Sequence, residues 1–286
     1  MFQAEGSPFP RETYLAKLRS VRGFPIIKGI TGIRRCGKST LMMEFMEELR
    51  STGVPEDRIV YLNLDDELLN IDDHKVLLDR VLSEVGDPKG SFVFLDEIQN
   101  VRGWDRAVSS LFINGADLYI TGPNSRMLST ELSTKLSGRC LEIRMQPLTF
   151  SEYRMFRSAS GRTDQQLLDD YIVRGGFPAV ALLEERAPGL IPDMLMGIYN
   201  TVHNRDVVER NRVRNPELLA SICRLMMKNL GNRTSVRSCS NYITSKGTRT
   251  TPETVDSYIS MLETALLFHR SKRMDSKTKE YLRTSD

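Results

Sequence analysis

The sequence predicts an α/β fold: a parallel β-sheet covered by helices, followed by a C-terminal part that is largely helical. Three observations lead there. Short apolar runs alternate with helix-period segments from residue 24 to about residue 152, the pattern of strands joined by covering helices. A glycine-bearing loop lies between the first strand run and the first apolar-faced helix. Beyond residue 152 no further strand run appears until residues 266–270.

Taken in order, residues 1–10 contain Gly6, Pro8 and Pro10 and read as an extended arm. Residues 11–19 read as a short helix with Tyr14, Leu15 and Leu18 on one face. Residues 26–31, 59–64, 92–95, 118–121 and 141–145 read as strands. Leu41, Met42, Phe45 and Leu49 share a helical face, and Gly53 stands where that helix should stop. Residues 167–172 and 180–183 read as helices, broken by Gly175, Gly176, Phe177 and Pro178. Residues 203–215 read as a linking region. Leu218, Leu219, Ile222, Leu225 and Met226 then mark one helix, and Val255, Tyr258, Ile259, Leu262 and Leu266 another. Thr251 and Pro252 suit the start of the latter, as cap and first-turn residue.

Composition sets the outer limits. The 286 residues suffice for about two domains, and 40% apolar with 27% charged residues is an ordinary globular balance. No apolar run approaches the roughly 20 residues that span a bilayer, and no secretory leader is evident. A membrane partner is therefore not expected. Cys36, Cys140, Cys223 and Cys239 match no paired metal or redox spacing, which reads as reduced thiols in a cytoplasmic protein. The net charge of +3 is uneven: residues 201–286 carry 16 Lys and Arg against 9 Asp and Glu. That surplus suits nucleic acid, and equally a solvated basic face.

The chemistry-bearing segment is Gly32-Ile33-Arg34-Arg35-Cys36-Gly37-Lys38-Ser39, which fits the phosphate-binding pattern G-x-x-x-x-G-K-[ST]. Its place between strand and helix predicts a P-loop NTPase sheet. The loop must turn backbone N–H groups inward around phosphates, which bulky or φ-restricted residues at Gly32 and Gly37 would prevent. Lys38 reaches the β- and γ-phosphates, Ser39 offers a hydroxyl to Mg²⁺, and Thr40 supports the α-phosphate. The helix N-terminus adds positive potential. Arg34 and Arg35 add more, or are simply solvated. Cys36 contributes backbone, its thiol being incidental. The loop alone expects ATP or GTP with Mg²⁺, of which ATP is the leading reading.

Phe92-Val93-Phe94-Leu95 followed by Asp96 and Glu97 reads as a buried strand ending in an acidic pair, a Walker B segment. Asp96 would hold Mg²⁺, largely through water, and Glu97 would polarise the attacking water. Asn124, after the strand at 118–121, is a candidate to position water or touch the γ-phosphate, or a plain turn residue. Arg139, before the last strand, is a candidate arginine finger acting in trans, or a surface arginine.

The segments Ile30–Ser39, Leu95-Asp96-Glu97-Ile98-Gln99, Gly122-Pro123-Asn124-Ser125 and Leu136-Ser137-Gly138-Arg139 resemble prokaryotic AAA-type ATPases of the AAA_14/DUF4143 group. Phe150-Ser151-Glu152-Tyr153, Gly175-Gly176-Phe177-Pro178 and Asp206-Val207-Val208-Glu209-Arg210 are similar to that group as well. The resemblance implies an additional-strand AAA-like P-loop domain over residues 1–155, a helical connector over 156–210 and a winged-helix domain over 211–286. It carries the roles above onto Lys38, Ser39, Asp96, Glu97, Asn124 and Arg139. Two departures stand out. Pro123 replaces the usual Ser. The group also continues into a nuclease-like domain where this chain ends at Asp286, so activity housed there is expected to be absent.

Three readings follow. The first is an Mg²⁺-dependent ATPase, able to form a homo-oligomer, that couples hydrolysis to a basic C-terminal domain engaging duplex DNA or a protein partner. In that domain residues 235–245 and 254–266 would supply the second and third helices, with Thr254, Ser257 and Glu263 facing bases. Arg270, Lys272 and Arg273 would form a basic wing, and Arg233, Arg237, Lys246 and Arg249 would add phosphate contacts. The second reading is a DNA-binding regulatory module with ATP as a slow switch. The third is a truncated remnant without coupled activity.

Overall fold

The computed structural model describes residues 9–123 and 138–271, and the chain divides into two compact units, residues 1–198 and 199–286. The first unit opens with α1 (Glu12–Ser20) and β1 (Ile27–Thr31), then α2 (Lys38–Ser51) and β2 (Ile59–Asn63). Next come α3 (His74–Val85), β3 (Phe92–Asp96), α4 (Trp104–Ile113), β4 (Asp117–Gly122) and β5 (Cys140–Arg144). The five strands form one parallel sheet in the order β2-β3-β4-β1-β5. All five apolar runs are strands, displaced by a residue or so at their ends.

Both faces of the sheet are covered, as a parallel sheet requires. Val60, Leu62, Val93, Leu95, Leu118 and Ile120 pack in one layer with Leu77 and Val81 of α3 and Trp104, Val108 and Leu111 of α4. Their strand neighbours Ile30, Phe94, Tyr119 and Ile143 face the other layer, with Leu41, Phe45 and Leu49 of α2 and Leu15 and Leu18 of α1. Phe94 and Tyr119 stack with centroids 4.6 Å apart. Register then brings the strand ends level: Thr31 pairs with Gly122 and Leu95 with Ile120. The C-terminal ends of β1, β4 and β3 thus stand side by side, where open α/β sheets place their ligand crevice.

At the opposite end of the sheet, Lys28 and Asp117 form an ion pair that is fully buried on the lysine side. Lys28 Nζ also donates to the carbonyl of Phe24 at 2.8 Å, and Asp117 accepts from Gly23 N at 2.8 Å and the Tyr119 hydroxyl at 3.0 Å. These bonds satisfy a charge pair that burial alone would make costly.

After β5 come α5 (Phe150–Phe156), α6 (Asp164–Arg174), α7 (Pro178–Arg186) and α8 (Ile191–Thr201). Gly176 lies so close to the Leu148 carbonyl that a Cβ there would stand 2.2 Å from its oxygen, which explains a glycine at that point of the Gly-Gly-Phe-Pro break.

The second unit holds a π-helix (Val202–Glu209), α9 (Pro216–Lys228), α10 (Val236–Ser245) and α11 (Pro252–Thr264), the three α-helices packing on one another. Two expectations are corrected here. The linking region from residue 203 is helical through Glu209. Its wide winding, with Arg210 N on the Arg205 carbonyl and Val213 N on that of Val208, has no 3.6-residue period for a sequence pattern to show. Residues 266–270 form no strand. Leu266 turns to a positive φ of 61° and Leu267 N bonds back to the Leu262 carbonyl. Arg270 is held by Glu263 at 3.0 Å and Asp256 at 3.6 Å, so neither it nor Glu263 stands free in the roles expected of them. Lys272 and Arg273 lie outside the described residues.

Candidate active site

The loop that leaves β1 at Thr31 enters α2 at Lys38. A Cβ on Gly32 would stand 2.3 Å from the Met145 carbonyl oxygen, so only glycine lets the loop pass the backbone just beyond β5. Gly37 has φ 104° and Arg35 φ 64°, and these two left-handed turns bend the chain back onto the helix. Lys38 is buried, and its ammonium donates to the carbonyls of Gly32 at 3.0 Å and Ile33 at 3.5 Å. Among the described residues the N-terminus of α2 has no side-chain cap, and no acid stands in its first turn. Its N–H groups and positive dipole end therefore remain available to an anion. Ser39 and Thr40 sit half-buried in that first turn. Burial pushes the Cys36 thiol up, which keeps it protonated and unreactive near neutral pH. Arg35 is exposed and Arg34 half-buried.

Asp96 ends β3 buried, and both its oxygens are engaged. Oδ1 accepts from the Thr121 hydroxyl of β4, and Oδ2 from the Tyr61 hydroxyl of β2 at 3.0 Å. Burial, then the Asp96 charge, drives the Tyr61 phenol well above its ordinary range, so it acts as a fixed donor. Glu97 takes a left-handed backbone, φ 54°, and its N–H donates to Thr121 Oγ1 at 2.8 Å. The same hydroxyl thus fixes both acids. The Glu97 carboxylate accepts from Gln99 Nε2 and lies 3.8 Å from Lys38 Nζ and 3.9 Å from Arg34. Gln99 Oε1 is buried with no donor among the described residues.

Gly32, Arg34, Arg35, Cys36, Gly37, Lys38, Ser39 and Thr40 are therefore gathered around one helix N-terminus, with Glu97 within 4 Å of Lys38 and Arg34 and Asp96 beside it on β3. Asn124 lies outside the described residues. Arg139 stands at the other end of the sheet. Its carbonyl accepts from Ile27 N, at the start of β1, and its guanidinium lies 5.9 Å from the Phe112 ring centroid. It does not approach its own chain's loop.

Sequence reasoning missed Thr121, Tyr61, Gln99 and Arg11 as members of this site. Thr121 and Tyr61 carried a weak signal, each being a hydroxyl residue within a mainly apolar strand run. Arg11 donates to the Cys36 carbonyl at 3.1 Å, and it lines a cavity of about 30 Å³ with Gly37, Thr40, Met145 and Pro178.

A family model described as an AAA domain, AAA_14, matches residues 25–154, and one described as a domain of unknown function, DUF8612, matches residues 165–286. An uncharacterized protein of Haemophilus influenzae is 33% identical over 280 residues, covering 96% of this chain and 69% of that protein. This chain belongs to the AAA_14 family of AAA-type P-loop ATPases. A second relative, the uncharacterized protein MJ1544 of Methanocaldococcus jannaschii, is 29% identical over 265 residues; the match covers 88% of this chain and 58% of that protein. Among solved structures, DnaA bound to AMPPCP and single-stranded DNA aligns with a TM-score of 0.47 at 16% identity, covering 92% of this chain and 90% of that one. The Thermotoga maritima RuvB branch migration motor aligns with a TM-score of 0.45 at 15% identity, covering 91% and 89%.

Proposed function

We propose that this AAA_14 chain binds ATP with Mg²⁺ and hydrolyses its terminal phosphoanhydride. The observation that carries this is the meeting of Lys38 and Glu97, 3.8 Å apart, at the uncapped N-terminus of α2. The donor set fits the ligand. A buried ammonium and free helix N–H groups suit a polyphosphate, while the Ser39 hydroxyl and Asp96 carboxylate are the hard oxygens Mg²⁺ prefers. The bound cation would offset charge on the transferring phosphoryl group. Lys38 holds the β- and γ-phosphates. Glu97 orients the attacking water and takes its proton, with Thr121 and Gln99 fixing where that carboxylate stands. Asn124 keeps its candidate role beside the γ-phosphate. Arg139 serves as a finger only toward a second copy.

The test of binding is Lys38→Ala. Titration with ATPγS and Mg²⁺ is expected to show saturable binding by the wild type and none by the variant. Equal affinity in both would refute the phosphate site.

We further propose that residues 1–155 form the ATPase domain, 156–210 a connector and 211–286 a winged-helix-like domain that binds duplex DNA. Arg224, Lys228, Arg233, Arg237, Lys246 and Arg249 are all exposed on α9, α10 and their connections, which supports contact with phosphates. Affinity for a DNA duplex should then fall steeply with salt, with a log–log slope of about −0.9 per phosphate neutralised. Absence of binding at low salt would favour a protein partner instead.

A further inference from the structure

We infer that Arg11, outside every recognised motif, is a positioning residue that preorganises the phosphate-binding loop by holding the Cys36 carbonyl turned away from the nucleotide. This inference rests on the nucleotide site proposed above.

A loop that turns its N–H groups toward a phosphate must turn carbonyls the other way. Carbonyls that face protein need donors. Lys38 supplies one to Gly32 and a longer one to Ile33. The Cys36 carbonyl is met by Arg11 Nη1 at 3.1 Å. That same nitrogen donates to the Gln146 carbonyl at 2.7 Å, and Nη2 reaches the Pro147 carbonyl at 3.4 Å. Nε and Nη2 meet the two oxygens of Glu152 at 2.9 and 2.8 Å. The guanidinium lies 4.6 Å from the Tyr14 ring centroid, and the Tyr14 hydroxyl accepts from Gln146 N at 3.2 Å. Arg11 is only 5% exposed.

This set of partners needs the planar five-donor fork of arginine, which a lysine cannot reproduce. Its far end is anchored too. Glu152 closes the capping box of α5, accepting from Thr149 N at 2.8 Å. Burial pushes the Glu152 carboxyl up, but the bonds from Arg11 and Thr149 outweigh it and hold it below the usual carboxylate range. One chain of contacts therefore runs from the start of α5, through Glu152 and Arg11, to the loop backbone. It joins the start of α1 and the Phe-Ser-Glu-Tyr segment after β5 to the nucleotide site, two segments that no phosphate motif includes.

The experiment titrates the full chain with ATPγS and Mg²⁺. Arg11→Lys keeps the charge and loses the fork, Glu152→Gln keeps the shape and loses the anchor, and Asp117→Asn loosens the sheet at its opposite end. Circular dichroism at the assay temperature selects variants that are folded. Arg11→Lys and Glu152→Gln are each expected to weaken ATPγS binding about tenfold, the cost of ordering a loop that is no longer preorganised. KM for ATP should rise more than kcat falls. Asp117→Asn should keep wild-type affinity. Wild-type affinity in folded Arg11→Lys and Glu152→Gln would overturn the inference. So would an equal loss in Asp117→Asn, which would mark general destabilisation. If wild type and Lys38→Ala bind alike, the nucleotide site itself fails, a result distinct from either.

Discussion

A single hydroxyl, that of Thr121, donates to Asp96 and accepts from the backbone of Glu97. The two acids have different proposed tasks, and one side chain of the neighbouring strand sets both. Thr121→Val keeps shape and volume but removes both bonds. The expected result is folded protein with turnover lower by roughly 10- to 100-fold, the scale of a misplaced catalytic group. Wild-type turnover would show that the strand ends alone position the acids. At this scale the sequence was informative where chemistry forces a spacing. Lys38, Ser39, Asp96 and Glu97 stand out because a phosphate loop and an acidic strand end each have a recognisable order. Thr121, Tyr61 and Arg11 act through distances that no local spacing encodes: Arg11 and Glu152 are 141 positions apart in the chain.

The strands show how far hydrophobic patterning reaches. Five apolar runs marked five strands, because a sheet covered on both faces needs near-continuous apolar residues. Their order could not be read from periodicity, since register comes from packing between distant segments. Lys28 is a further instance. It is a charged residue within the apolar run Ile27–Thr31, and it is fully buried against Asp117. Asp117→Ala would strand that ammonium, with an expected loss of about 3–5 kcal/mol in denaturant unfolding. A loss below about 1 kcal/mol would mean that water or rearrangement supplies a new partner. The π-helix marks the other limit. Its i→i+5 bonding leaves no apolar stripe at helical spacing, so residues 203–215 read as a linker. The segment after α11 differs for a related reason. Residues 266–270 read as a strand, but Leu266 turns left-handed and Arg270 is drawn back to Glu263 and Asp256.

For the whole molecule, the chain is an AAA_14 family member whose sheet carries its loop at one end and Arg139 at the other. A finger at that position must act on a neighbouring copy. Specific activity should then rise with protein concentration, and Arg139→Ala should remove that rise while leaving ATPγS affinity unchanged. Activity independent of concentration would leave Arg139 as a surface residue stacked on Phe112. The basic surplus of residues 201–286 was plain from the sequence, but its reach toward a partner was not, because ion pairs such as that of Arg270 depend on the fold. The central claim is that Glu97 drives hydrolysis at a site built to hold ATP. The measurement that tests it most directly is steady-state phosphate release by wild type and Glu97→Gln, with ATPγS affinity measured on the same samples. The account predicts equal affinity and a turnover roughly 10²–10⁴-fold lower in the variant. Turnover by Glu97→Gln at the wild-type rate would contradict it.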